Sequence, residues 1–118
     1  MLLADDHGIV RRGLKSLLET EPGLAVVGEA ADGLEALRLC EESAPDTLIV
    51  DIGMPKLNGY EVCQRIRAQA WGKTTVIVAQ TGWGQEEDKL RTREAGFDDH
   101  LVKPVDPLKL IQLIAGQT

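Results

Sequence analysis

The sequence predicts an α/β fold in which an open, parallel sheet carries helices on both faces. Short apolar runs alternate with longer amphipathic stretches, which is typical of strand–helix–strand units. Three of the short runs are almost unbroken by polar residues, as expected of strands covered on both faces. Proline and glycine fall between these segments, where turns and helix ends belong. Together these observations favour five strands, each followed by a helix.

Five short apolar segments are the predicted strands. Each is bounded by turn residues or by the start of an amphipathic stretch. They are Leu2–Ala4, Leu24–Val27, Thr47–Val50, Thr75–Ala79, and Leu101–Val102 with a residue or two before it.

Four of the five helical segments show apolar residues at helical spacing. The residues are Ile9, Val10, Leu14, Leu17 and Leu18 in the first, Leu34, Leu37, Cys40 and Ala44 in the second, Val62, Cys63, Ile66 and Ala70 in the third, and Leu108, Ile111, Ile114 and Ala115 in the fifth. The fourth segment, from Gln85 to Ala95, is dominated by charge. It is either a helix with a solvated face or a weakly anchored helix that can shift.

The length and charge of the chain limit its organisation and its partners. With 118 residues the chain is predicted to form one domain, 1–118, with an ordinary core. The net charge is −6, and nucleic-acid binding needs a basic surface. The chain has two Trp, one Tyr and one Phe, too few for a surface that stacks on bases. We therefore expect no direct contact with nucleic acid.

The remaining composition points to the cytoplasm. Cys40 and Cys63 lie in helical segments without a paired or metal-binding spacing, which is typical of reduced thiols. No apolar run approaches the roughly 20 residues of a membrane span. The first residues lack the pattern of a signal peptide. A cytoplasmic protein without a membrane span is the prediction.

Polar side chains follow four of the predicted strands. Asp5 and Asp6 follow the first strand, and Asp51 follows the third. Thr81 follows the fourth strand and Lys103 the fifth. A single aspartate in such a place is usually a turn former or a helix cap. Because ligand sites of open α/β sheets lie at the carboxyl ends of the strands, the set of five indicates a site.

The residue types at this edge suit phosphoryl transfer. Clustered carboxylates repel one another unless a cation lies among them, and Mg²⁺, with Mn²⁺ as an alternative, takes oxygen ligands. Lys103 supplies a positive charge and Thr81 a hydroxyl, both suited to phosphoryl oxygens. The pattern favours a carboxylate acceptor in a site that works by positioning and charge stabilisation.

Over essentially its whole length the chain resembles the receiver domains of two-component response regulators, including chemotaxis receivers. The matching features are Asp5-Asp6, Asp51 in the segment 48–55, Gly59, Thr81 and Lys103-Pro104. Asp51 lies 45 residues after Asp6, Thr81 lies 30 residues after Asp51, and Lys103 lies 22 residues after Thr81. The resemblance implies a flavodoxin-like (βα)5 doubly wound sandwich with strand order 2-1-3-4-5. It also implies signalling that is activated by phosphorylation.

The resemblance assigns a role to each matching residue. Asp51 is the expected phosphoacceptor, and Thr81 and Lys103 are expected to bind the phosphoryl group. The expected Mg²⁺ ligands are Asp5, Asp6, Asp51 and the backbone carbonyl of Gly53.

The resemblance also implies partners. A sensor histidine kinase or a histidine phosphotransfer domain would donate the phosphoryl group, and phosphorylation would switch the face formed by the fourth helix, fifth strand and fifth helix. The chain is not expected to be an enzyme beyond its own phosphotransfer and dephosphorylation. A phosphorylation-dependent dimer stays open, as does the output. The first part resembles receivers attached to helix-turn-helix domains, and the segments 81–87 and 93–98 resemble those of hybrid histidine kinases.

Several positions depart from the commonest pattern of the family. His100 stands where receivers often have Tyr or Phe, so it is either a half-exposed edge residue or a switch residue coupled to Thr81 and sensitive to pH. Gly53 and Trp83 occupy positions that in the family influence the lifetime of the phosphoryl group. His7 is expected to begin the first helix without a catalytic role.

Three other functions are weighed against this one. An aspartyl-phosphate phosphatase would need a second carboxylate where Gly53 stands. A flavin or nucleotide binder would need a phosphate-binding loop where Asp5-Asp6 stand, and these would repel phosphate. A receiver-like interaction module that no longer takes phosphate remains the alternative.

Overall fold

Five parallel strands form a single sheet in the computed structural model, which describes residues 1–54, 56–81, 89–102 and 106–116, with the backbone only of 89–91, 102, 107, 115 and 116. The strands are β1 Leu2–Ala4, β2 Gly28–Ala30, β3 Thr47–Asp51, β4 Val76–Thr81 and β5 Asp99–Val102. Their order is β2-β1-β3-β4-β5, and every neighbouring pair is parallel. The flavodoxin-like order implied by the resemblance is confirmed.

Five helices follow the strands in turn. They are α1 Gly8–Leu18, α2 Gly33–Ser43, α3 Gly59–Arg67, α4 Lys89–Ala95 and α5 Pro107–Gly116. The Asp32 side chain caps α2 by accepting from Glu35 N at 2.9 Å. Asn58 and Glu61 form a reciprocal capping box at the start of α3. These caps fix the helix N-termini at the edge of the sheet where the strands end.

The sheet divides the core into two layers. Successive residues of a strand point to opposite faces, so Leu48 and Val50 pack on one side and Ile49 on the other. The first layer includes Val62 and Ile66 of α3. The second layer is closed by buried residues of α1 and α5: Leu14, Leu18, Leu110 and Ile114. This arrangement confirms helices on both faces.

The predicted second strand is wrong: β2 begins four residues later than predicted and ends three residues later. The structure pairs Gly28–Ala30, not Leu24–Val27, with β1. Leu24 and Val26 are partly buried against the second core layer without joining the sheet, and Val27 is 65% exposed. The apolar run is therefore a connection that packs on the core, while the less apolar edge strand gains its place from the ladder with β1. The other strands lie within about two residues of the predictions.

The predicted helices are present, but their apolar residues are not all buried. Along α1 only Leu14 and Leu18 are buried, whereas Ile9 is 86% exposed. Ala44 ends α2 in a left-handed conformation, with φ of 42°, and Ala70 lies beyond α3. The structure describes the fourth helix only from Lys89, because residues 85–88 of the predicted segment lie outside the described residues.

Candidate functional site

Three carboxylates meet at the carboxyl edge of the sheet. Asp51 is the last residue of β3, and Asp5 and Asp6 follow β1, its neighbour in the sheet. Val50 is paired with Ala4, which brings the residues after them side by side. Asp5 and Asp51 are 4% and 5% exposed, whereas Asp6 is exposed. The sequence therefore predicted correctly that these three residues converge.

The ring of His7 lies among the three carboxylates. Its Nδ1 is 3.1 Å from Asp5 Oδ1, 3.2 Å from Asp6 Oδ1 and 3.9 Å from Asp51 Oδ2. As expected, His7 is the N-cap of α1, but its side chain makes no capping hydrogen bond. Sequence reasoning placed it outside the chemistry. The signal that could have found it was its position directly after two aspartates.

Arg11 of α1 supports the end of β1. Its Nη1 donates to the backbone carbonyl of Asp5, and its Nε donates to Glu29 Oε1 at 3.1 Å. Lys15, one turn further, lies 3.5 Å from the other oxygen of Glu29. These contacts tie α1 to Glu29 of β2 and to Asp5, the residue that follows β1. Sequence reasoning missed Arg11 as well.

The loop after β3 packs tightly around Asp51. The backbone N–H of Gly53 donates to Asp51 Oδ1 at 3.1 Å. Gly59 N donates to the Ile52 carbonyl at 3.0 Å, which brings the start of α3 against the end of β3. A Cβ atom on Gly59 would lie 2.8 Å from Ile52 Cα and 2.9 Å from the Asp51 carbonyl oxygen. The close approach explains why a glycine stands there.

Helix α2 also borders this loop. Lys56 Nζ lies 3.4 Å from Asp32 Oδ2, and a Cβ on Gly33 would lie 1.9 Å from the Leu57 carbonyl oxygen. The Glu35 N–H that donates to Asp32, assisted by Lys56, lowers the pKa of the Asp32 carboxyl. The cap of α2 is thus joined to the loop that carries Gly53.

Thr81 and His100 meet across β4 and β5. Thr81 is fully buried, and its Oγ1 lies 2.6 Å from His100 Nε2. The same hydroxyl lies within 3.4 Å of the Leu101 carbonyl, to which it donates. His100 is half-buried and borders a cavity of about 300 Å³ that Thr92 of α4 and Phe97, which follows α4, also line. The structure therefore brings together the two predicted switch residues, and Lys103 and Trp83 lie outside the described residues.

A divalent cation fits the donor set of the acidic cluster. One ligand atom from each of Asp5, Asp6, His7 and Asp51 lies within 4.8 Å of the others. Opposite ligands of an octahedral Mg²⁺ are roughly 4.2 Å apart, twice its usual bond length, so the separations in this cluster are close to those around a bound ion. Two of the carboxylates are buried, so a positive charge is needed to offset their repulsion.

Both cysteines are buried free thiols. Burial raises the pKa of Cys40 to about 12 and that of Cys63 to about 11. The Cys63 thiol donates to the Ala95 carbonyl at 3.4 Å.

Among the helices that the structure describes, none combines the length and apolar character needed to cross a bilayer.

Known proteins resemble this chain in sequence. The family model for the response regulator receiver domain matches residues 1–115. The transcriptional regulatory protein YhcZ of Bacillus subtilis is 36% identical over 112 residues, which are 95% of this chain and 51% of YhcZ. The nitrate/nitrite response regulator NarL of Escherichia coli is 32% identical over 114 residues, 97% of this chain and 52% of NarL. The chain thus spans about half the length of these two relatives.

Solved structures agree with the fold. A LuxR-family two-component response regulator from Aurantimonas superposes with a TM-score of 0.88 at 39% identity, covering 98% of this chain and 81% of that one. The chemotaxis response regulator CheY4 of Vibrio cholerae superposes with a TM-score of 0.89 at 31% identity, covering 99% and 96%. From the family match, the relatives and the shared fold together, the chain belongs to the receiver domains of two-component response regulators.

Proposed function

We propose that this chain is a phosphorylation-activated switch that takes a phosphoryl group onto Asp51. The donor would be a phosphohistidine of a sensor histidine kinase or of a histidine phosphotransfer domain. The observation that carries the proposal is the buried Asp51 carboxylate at the end of β3, grouped with those of Asp5 and Asp6. An aspartate in this setting is an acceptor that a cation and fixed dipoles can serve.

The transfer needs little beyond positioning. A carboxylate oxygen of Asp51 bonds to phosphorus while the P–N bond of the donor breaks, and the bond's electron pair stays on the donor imidazole. The Gly53 N–H, which donates to Asp51 Oδ1, holds the plane of the carboxylate. A divalent cation held by Asp5, Asp6, Asp51 and the Gly53 carbonyl would neutralise the charge that gathers on the phosphoryl oxygens.

The hydroxyl of Thr81 is the proposed reporter of phosphorylation. To donate to a phosphoryl oxygen the hydroxyl must give up the Leu101 carbonyl, and a shift of the side chain towards Asp51 would also break the 2.6 Å contact with His100 Nε2. Loss of that contact would free the imidazole to move beside the cavity that Thr92 and Phe97 line. The state of Asp51 would in this way bias the face formed by α4, β5 and α5.

Three further residues have proposed roles at the site: Lys103, Gly53 and Trp83. Lys103 would bind the phosphoryl group with its ammonium. Gly53 is exposed and has no side chain to block an attacking water, and Trp83, two residues after Thr81, would shape the same rim. Water that attacks phosphorus would return the Asp51 carboxylate and release phosphate, so these two residues would set the lifetime.

The wider role of the chain follows from the same proposal. Residues 1–118 would act as one receiver domain in the cytoplasm, with no catalysis beyond their own phosphotransfer and dephosphorylation. The output would be exerted through a partner, through a phosphorylation-dependent dimer, or through a further part of a longer protein.

Intact mass spectrometry tests the acceptor. After incubation with Mg²⁺ and acetyl phosphate, the protein should gain one phosphoryl group. Asp51→Asn should gain none and keep its circular dichroism spectrum, and Asp46→Asn, a change at an exposed aspartate outside the cluster, should gain one. Equal gain in the Asp51→Asn protein would refute the acceptor. No gain in the unmodified protein would favour the phosphate-blind interaction module.

A further inference from the structure

An imidazole occupies a place in the acidic cluster that carboxylates do not fill. His7 Nδ1 lies within 3.9 Å of an oxygen from each of the three aspartates. Its side chain is 64% exposed, so the ring lies on the solvent side of the cluster. The ring therefore contributes a fourth donor, of a different chemical kind, to one compact set.

The backbone holds the ring in this position. His7 N donates to Asp5 Oδ1 at 2.9 Å, and the same oxygen lies 3.1 Å from Nδ1. Arg11, which donates to the carbonyl of Asp5 and pairs with Glu29, fixes the first turn of α1 below it. These contacts present Nδ1 to the cluster.

Nitrogen and oxygen ligands select different ions. Mg²⁺ is a hard cation that takes carboxylates and keeps several waters. Imidazole nitrogen adds most to the binding of first-row transition ions, whose affinities rise from Mn²⁺ through Co²⁺ to Ni²⁺ and Cu²⁺. A cluster of three carboxylates and one imidazole thus combines a charge suited to any divalent cation with one ligand that favours transition metals.

We propose that His7 Nδ1 is a metal ligand that makes this site prefer first-row transition ions, such as Co²⁺, to Mg²⁺. The inference rests on the proposed function, since it concerns the cation of the same site. The ring binds as neutral imidazole, with its remaining proton on Nε2, and any proton on Nδ1 passes to solvent when the ion binds.

A purely structural role for His7 predicts the opposite result. If the ring only forms hydrogen bonds to the carboxylates, it competes with every cation that enters the cluster. Its removal would then strengthen Mg²⁺ and Co²⁺ binding together. If the ring is a ligand, its removal weakens Co²⁺ binding and leaves Mg²⁺ binding almost unchanged.

Calorimetric titration of the whole chain with each ion separates these cases. His7→Gln should lose about tenfold or more in Co²⁺ affinity, while its Mg²⁺ affinity stays within about threefold. Pulsed EPR of bound Mn²⁺ should show coupling to an imidazole nitrogen that is absent in His7→Gln. The chain has two histidines, and the coupling should persist in His100→Gln.

The outcomes distinguish this inference from the proposed function. Unchanged Co²⁺ affinity in His7→Gln, a joint rise for both ions, or bound Mn²⁺ without nitrogen coupling would overturn the inference alone. Failure of the unmodified protein to bind any of the ions would overturn the inference and the proposed cation of the receiver site. Phosphorylation of Asp51, measured by mass, reports on the receiver function separately.

Discussion

Gly59 and Gly13 occupy opposite steric environments, although both lie in helices. A Cβ on Gly59 would press against the backbone of Ile52 and Asp51, whereas a Cβ on Gly13 would meet nothing within 4 Å. Gly59→Ala should therefore cost about 1–3 kcal/mol, because α3 must move away from the end of β3. Gly13→Ala should add about 0.5–1 kcal/mol, because alanine favours the helix.

Urea unfolding of the two variants measures both changes. The Gly59→Ala protein should also take up phosphoryl more slowly, since the shift reaches the carbonyl of Asp51. A Gly59→Ala protein as stable as the Gly13→Ala protein would contradict the packing at this contact.

The two thiols make stability depend on pH at the alkaline end. Burial raises the pKa of Cys40 to about 12 and of Cys63 to about 11, from an ordinary value of 9.0. A raised pKa means that the folded state holds the thiol proton more tightly than the unfolded chain. The contribution to stability is complete below about pH 9 and is lost between there and about pH 11–12.

Alkylation with iodoacetamide at pH 8.5 tests the burial of the thiols. Both should react much more slowly in the native protein than in urea, because reaction needs the exposed thiolate. In parallel, the free energy of unfolding of Cys40→Ala should depend less on pH above about 9 than that of the unmodified protein. Native and unfolded alkylation rates that agree would contradict buried thiols.

At the scale of elements, Arg67 of α3 joins segments that are distant in sequence. Its guanidinium donates to the carbonyls of Gly96 at 2.9 Å, Gly72 at 2.8 Å and Thr75 at 2.6 Å. It also donates to Asp98 Oδ2 at 2.7 Å. The side chain is 20% exposed, so these bonds are only partly screened by water. Arg67 therefore fixes where α3 meets the starts of β4 and β5.

Arg67→Met should lower the free energy of unfolding by about 2–4 kcal/mol, since it leaves several carbonyls without their donor. Arg38→Met is the matched control. Arg38 pairs with Glu42 on the surface of α2, where both side chains are 59% exposed, and its loss should change stability by no more than about 0.5 kcal/mol. Similar urea midpoints for the two variants would contradict the role of Arg67.

Four of the helices and the inner strands were predictable, because the apolar pattern of each segment is enough to identify it. Thr47–Asp51 is buried on both faces, so its apolar run coincides with the strand. The edge strand Gly28–Ala30 was not predictable from such a run, since its place depends on pairing with β1. Ile9 also looked like a core residue from its helical spacing. The structure buries only part of the apolar face of α1, and Ile9 lies on the exposed part.

At the scale of the whole molecule, the fold brings the site residues together at one edge of the sheet. Parallel strands end at one edge, so Asp5, Asp6 and Asp51 could be placed together from the sequence. His7 and Arg11 could not, because their roles depend on side-chain directions that only the packed start of α1 determines. The sequence analysis therefore identified the three aspartates of the site but did not predict that the His7 imidazole lies among them.

The central claim is that Asp51, rather than a neighbouring carboxylate, receives the phosphoryl group. Borohydride reduces an aspartyl phosphate to homoserine, which peptide mapping can locate in the phosphorylated protein. We predict homoserine at position 51 alone. Homoserine at Asp5 or Asp6, or at no position in a protein whose mass shows one added phosphoryl group, would contradict the account.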